Sequence, residues 1–147
     1  MIFKTYTSFC QTIMFIDDNP IDTFIHTRLL KLSEFQGKQL VYDNCFAALD
    51  YLTCNQYVGE LLPELIFVDL HLPLMSGLEF IEKIKALPGL IEKQCQVVVL
   101  SSTYPEPEMA FQMEKSGVWK ILEKPLRLED LKNIYEEVEG MRYAIAS

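Results

Sequence analysis

Apolar residues in this chain come in short unbroken runs that end on polar or charged residues, and stretches with helical spacing follow them. Residues 12–16 (TIMFI) predict a strand that stops at Asp17-Asp18-Asn19-Pro20. Ile21, Phe24, Ile25, Arg28, Leu29 and Leu32 then fall at helical intervals and predict one apolar helix face. Asp18 or Asn19 caps that helix, with Pro20 near its first turn, and Gly37 ends the region. Residues 39–42 predict a short strand, and Phe46, Leu49 and Leu52 mark a second helix from about 45 to 56. The run at 65–69, LIFVD, has the character of a strand buried on both faces and delivers Asp69 at its end. Ser76 and Glu79 have capping-box spacing for a third helix whose stripe is Leu78, Ile81 and Ile84, with Pro88-Gly89 closing it. QVVVL at 96–100 is another buried strand and ends on Ser101-Ser102-Thr103. Pro105 and Pro107 precede a fourth helix over about 108–116, with Gly117 as its C′ residue. The last strand, 118–123, runs into Lys124-Pro125, and Leu128, Leu131, Ile134, Tyr135 and Val138 make a final amphipathic helix.

Strand and helix alternate five times with short connections. Right-handed crossovers then predict an α/β fold, a doubly wound five-stranded parallel sheet. We divide the chain into a leading segment (1–11), one domain (12–139) and a short tail (140–147).

Composition narrows the partners. A net charge of -8 argues against nucleic acid or an anionic membrane, which require clustered Lys and Arg. Cys10, Cys45, Cys54 and Cys95 form no C-x-x-C pair and read as reduced thiols of a cytoplasmic protein. The N-terminus has no signal-peptide h-region, and no run approaches the roughly 18 apolar residues of a membrane span.

In a parallel sheet the carboxyl ends of the strands share one edge, and ligands bind there. That edge collects Asp17 and Asp18, Asp69, Ser101 and Lys124. Three carboxylates in one cleft repel one another unless a cation intervenes. A hard divalent ion with oxygen ligands suits them, and Mg²⁺ favours few carboxylates, retained waters and a phosphate. An Asp carboxylate is a competent nucleophile toward phosphorus. Lys124 and the Ser101 hydroxyl can neutralise phosphoryl oxygens as charge builds.

Four stretches, FIDD (15–18), LIFVDLHLPLMSGLEF (65–80), VVVLSS (97–102) and EKP (123–125), together make the chain resemble a receiver domain of the two-component response regulators. The resemblance covers about residues 12–139 and implies a flavodoxin-like (βα)5 sheet in strand order 2-1-3-4-5. It implies that Asp69 is the phosphoacceptor, and that Mg²⁺ is held by Asp18, Asp69 and the backbone carbonyl of His71, with Asp17 acting through water. Ser101 and Lys124 would bind the phosphoryl group. The implied donor is a phosphohistidine on a sensor histidine kinase or a histidine phosphotransfer protein. A stand-alone receiver of this type would signal by docking or by passing the phosphoryl group onward, with the fourth helix, fifth strand and fifth helix as docking face. His71 and Thr103 fall at positions that tune dephosphorylation in the family.

One position departs from the pattern. Ile121 stands where the family has a Tyr or Phe whose ring turns inward on phosphorylation. Readout then falls to the Ser101 hydroxyl and the loop after it, with Tyr104 and Trp119 as nearby aromatics. Two other readings compete. One is a non-phosphorylated interaction module on the same fold. The other is a haloacid-dehalogenase-type phosphatase, which would need a second Asp at position 71. Asp22 reads as a helix-surface acid, and Met109 and Met113 as core-facing or filler.

Overall fold

Each unbroken apolar run becomes a strand covered by helices on both sides, so no polar alternation is needed along it. The structure, a computed structural model, describes residues 10–146, with side chains as far as Met141. Among these residues, β1 (Thr12–Ile16), β2 (Lys38–Tyr42), β3 (Leu65–Asp69), β4 (Gln96–Ser101) and β5 (Lys120–Glu123) form one sheet in the order β2-β1-β3-β4-β5. All four pairings are parallel, so the fold is the doubly wound flavodoxin-like sheet expected from the sequence. The helices are α1 (Pro20–Leu32), α2 (Cys45–Cys54), α3 (Gly77–Ile84), α4 (Pro88–Lys93), α5 (Pro107–Lys115) and α6 (Leu128–Ala146). The fourth and fifth helices read from the sequence are therefore α5 and α6.

Alternate residues of each central strand feed two separate cores. Met14, Ile16, Ile66, Val68, Val97 and Val99 pack with residues of α2, α3, α4 and α5. Ile13, Phe15, Leu65, Phe67, Val98 and Leu100 pack with Leu30 of α1 and with Leu131, Ile134, Tyr135 and Val138 of α6. Burying one such side chain stabilises the fold by about 1.5–3 kcal/mol. A one-residue slip of β3 would exchange the two cores and draw the Asp69 carboxylate into the sheet, so packing fixes where Asp69 emerges.

The structure departs from the sequence reading at several elements. The face of α1 expected to be buried is largely outside: Ile21 is 68% and Phe24 66% exposed, and Ile25 and Leu32 are exposed with them. His26 and Leu30 are the buried residues of this helix. Apolar side chains surround more of α1 than one seat can cover, and the row that turns inward carries Asp22 and His26 with Leu30. Pro88-Gly89 does not close α3, which has already ended at Ile84; Pro88 opens the short additional helix α4 from a first-turn position that needs no N–H.

β5 begins at Lys120 rather than Val118. Gly117 adopts φ 97, a left-handed conformation suited to glycine. The Gly117 and Val118 N–H groups donate to Glu114 and Met113 carbonyls, both at 3.0 Å, so Val118 belongs to the cap of α5. At the other end of the chain, α6 runs through Gly140 to Ala146, past the start of the expected tail. Most of the expected leading segment lies outside the described residues; Cys10, which is described, is buried in the α1–α6 core.

Candidate functional site

β1 and β3 end level with each other because Ile16 pairs with Val68. Asp17 and Asp69 thus leave adjacent strands at the same height. Asp69 pairs with Leu100, which puts Ser101 one residue further along β4. The Lys124 N–H donates to the Ser101 carbonyl at 2.8 Å and brings Lys124 to the same edge.

Local sequence fixes the corners around this edge. Asn19 is the cap of α1, its Oδ1 accepting from the N–H groups of Ile21 and Asp22 at 2.9 and 3.3 Å. Asp18 is thereby left out of the capping role. Asp17 Oδ1 accepts the Asn19 N–H at 2.9 Å and pins the turn. On the β3 side, Ser76 and Glu79 form the expected capping box at the start of α3. A Cβ on Gly77 would lie 2.6 Å from the Asp69 carbonyl oxygen, so glycine is what lets α3 begin against the end of β3.

The expected residues do converge. Asp17, Asp18 and Asp69 each offer a carboxylate oxygen, all within 4.8 Å of one another. Asp69 Oδ1 accepts the His71 N–H at 3.1 Å. Lys124 Nζ donates to Asp17 Oδ2 at 2.8 Å and to Asp69 Oδ2 at 3.1 Å. Ser101 is 1% exposed. Among the described residues its hydroxyl is the buried side-chain oxygen with no hydrogen-bond partner. The His71 ring is exposed and makes no part of this cluster.

Two neighbours of the cluster were not assigned to it from the sequence. Asp22, read as a surface acid, places Oδ2 2.9 Å from the Lys124 ammonium. His26, one turn further along α1, is buried and stacks on Phe15 with ring centroids 5.8 Å apart. Its Nε2 accepts the Leu126 N–H at 3.4 Å, just past the cis Lys124–Pro125 bond. The signal for both was their i, i+4 spacing in the helix that leaves the acidic strand end.

Burial and charge oppose each other here. Burial raises the Asp69 pKa above the usual carboxylate value, and Asp17 adds to the rise. The His71 N–H and the Lys124 charge pull the other way without cancelling it. Burial alone would lower the Lys124 pKa, but its hydrogen bonds to Asp17 and Asp22 and the charges of Asp17 and Asp69 outweigh burial and raise it. The ammonium is therefore permanent at neutral pH. One cation still faces Asp17, Asp18, Asp22 and Asp69, a deficit of positive charge that a divalent ion with oxygen ligands would offset. The unpartnered Ser101 hydroxyl is suited to an oxyanion brought into the same cleft. The site therefore fits both a hard cation and a phosphoryl group.

Ile121 pairs with Val99 and is half-buried against the core beside α2 to α5. Tyr104 is exposed after β4. Trp119 packs partly into the α1–α6 core, with the Lys120 ammonium 5.0 Å from its ring centroid. Met113 is buried as expected, whereas Met109 is exposed.

Known proteins share this architecture. The chain is 31% identical over 127 residues to the "Probable methanogenesis regulatory protein FilR2" of Methanothrix harundinacea, covering 86% of this chain and 80% of that protein. Among solved structures it is similar to the Mn²⁺-bound form of the response regulator Rcp1 (27% identity, TM-score 0.67, 88% of this chain and 91% of that one). It is also similar to the phosphorylated cyanobacterial phytochrome response regulator RcpA (27% identity, TM-score 0.69, 93% and 96%). The response regulator receiver domain model matches residues 13–136, so the acidic edge just described is that of a chain belonging to the receiver domain family.

Proposed function

We propose that the protein accepts a phosphoryl group on Asp69 from a phosphohistidine of a sensor histidine kinase or a histidine phosphotransfer protein. The reading is carried by one observation: Asp17, Asp18 and Asp69 meet Lys124 at an edge where the buried Ser101 hydroxyl has no protein partner. In the transfer, an Asp69 oxygen forms a bond to phosphorus as the phosphorus–nitrogen bond breaks. The imidazole leaves with that electron pair and takes up a proton. Lys124 and Ser101 donate to the phosphoryl oxygens where charge builds. The His71 N–H holds one Asp69 oxygen and so orients the nucleophile.

Mg²⁺ would be held by Asp18, Asp69 and the backbone carbonyl of His71, with Asp17 acting through water, and would neutralise phosphoryl charge. A Mn²⁺-bound relative and a phosphorylated one, both 27% identical to this chain, support the two halves of the reading. The protein is in this reading a cytoplasmic signalling protein that phosphorylates itself from small donors and loses the group slowly. Its output is docking or onward transfer. Exposed Met109 and Phe111 on α5 support docking on the α5–β5–α6 face. On the other side of the site, Phe24 and Val41 join Asp17 and Asp18 in lining an open pocket, a surface for the donor protein.

Acetyl phosphate with Mg²⁺ tests the reading by intact mass. Wild type gains one phosphoryl group and Asp69→Asn gains none. A folded wild type that gains nothing from several donors would instead be an interaction module, and sustained hydrolysis of phosphate esters would make it a phosphatase.

A further inference from the structure

The Lys124 ammonium has three protons. In this structure three carboxylate oxygens take them: Asp17 Oδ2 at 2.8 Å, Asp22 Oδ2 at 2.9 Å and Asp69 Oδ2 at 3.1 Å. A phosphoryl oxygen arriving beside Asp69 meets an ammonium whose donors are already engaged, so one of the three bonds has to give way. Asp17 is poorly placed to release, because its side chain is 5% exposed and its other oxygen holds the Asn19 N–H. Asp69 is the acceptor itself. Asp22 differs from both. Its side chain is 26% exposed, so water can take over a released carboxylate. It also lies outside the cluster formed by Asp17, Asp18 and Asp69.

We infer that Asp22 is a positioning residue that holds the Lys124 ammonium back from the phosphoryl group, so that capture of that group requires the Asp22–Lys124 bond to break. This inference rests on Asp69 being the phosphoacceptor. It makes α1 a brake on the reaction: its first turn presents a carboxylate that competes for Lys124 and repels the incoming dianion.

The test is the rate of reaction with acetyl phosphate at saturating Mg²⁺, followed by intact mass. In that reaction an Asp69 oxygen bonds to phosphorus as the phosphorus–oxygen bond to acetate breaks, and acetate leaves with the electron pair. Asp22→Asn should raise the second-order rate constant roughly threefold to tenfold, the size of removing one screened charge at this range. Asp22→Glu should stay near wild type, because it restores the competing charge. The gain of Asp22→Asn should shrink at high salt, which a packing effect would not do. An Asp22→Asn rate equal to or below wild type would overturn the inference, as would an equal gain in Asp22→Glu. These results leave the phosphoacceptor reading standing as long as wild type takes up the group. If wild type takes up nothing, that reading fails and this one with it. Asp22→Ser, with thermal melts of all variants, separates charge removal from a folding defect.

Discussion

Ser101 is 1% exposed, and its hydroxyl meets no partner among the described residues. Leaving such a group buried and unpaired costs about 1–3 kcal/mol. Ser101→Ala removes the orphan while leaving a side chain of nearly the same size, so urea unfolding without Mg²⁺ should show stability unchanged or higher by about 1 kcal/mol. Phosphorylation by acetyl phosphate should slow by roughly tenfold or more, because one donor to the phosphoryl oxygens is gone. A marked loss of stability would instead make the hydroxyl structural. Ser101 was legible from the chain because it directly follows a short, Val-rich apolar run whose length and β-branching favour a buried strand. Asp22 was legible only as far as the helix face it shares with His26, since that spacing does not announce its partner Lys124, 102 residues away.

The helices show where such legibility stops. β1, β3 and β4 could be read as soon as their apolar runs were seen, because burial on both faces leaves no choice of orientation. α1 has apolar residues around much of its circumference, and its seat is decided by partners distant in sequence: Lys124 for Asp22, Leu126 for His26, and the core shared with Leu131 and Ile134 of α6 for Leu30. Pro88-Gly89 was ambiguous in itself, since Pro stops one helix and starts another with equal ease. The seat of α1 makes a direct contrast. Leu30→Ala should cost about 2–5 kcal/mol in denaturant unfolding. Phe24→Gln, which removes the exposed apolar ring without adding charge beside Asp17 and Asp18, should change stability by no more than about 0.5 kcal/mol. That variant should slow transfer from a phosphohistidine donor while leaving the acetyl phosphate rate alone, and equal slowing of both would remove α1 as the donor's surface. His26 gives α1 a pH dependence. Burial lowers its pKa below 6.5, against the opposing charges of Asp17 and Asp22. Between the lowered value and 6.5 the unfolded chain binds more protons than the folded one, so this contribution to stability falls as pH drops below about 6.5. The stability gap between wild type and His26→Gln should therefore narrow on acidification through that window, and a gap that widens would mean the folded imidazole holds its proton.

For the molecule as a whole, two buried cores meet at a sheet whose carboxyl edge is electrostatically unfavourable. The net charge of -8 surrounds a site where Asp17, Asp22 and Asp69 pair with Lys124 and Asp18 stands beside Asp17 and Asp69. Burial already raises the pKa of Asp69, a sign that its charged form is disfavoured without further cation. The apo protein should accordingly be less stable than its cores allow, and a divalent ion should recover the difference by linkage. At one hundred times its dissociation constant a ligand specific for the folded state adds about 2.7 kcal/mol, or roughly 5–10 °C in melting temperature for a domain of this size. Asp18 separates this effect from general screening. It is exposed and bonds neither Lys124 nor the α1 cap, so Asp18→Asn takes a charge from the crowded edge without opening a core. The variant should match or slightly exceed wild type in melting temperature without added metal. Added Mg²⁺ at millimolar levels should then raise wild type by several degrees and the variant by much less, while the same ionic strength of NaCl raises neither to that extent. An equal rise in both proteins would show that the ion acts through the net charge of the molecule, and would remove Asp18 from the metal site.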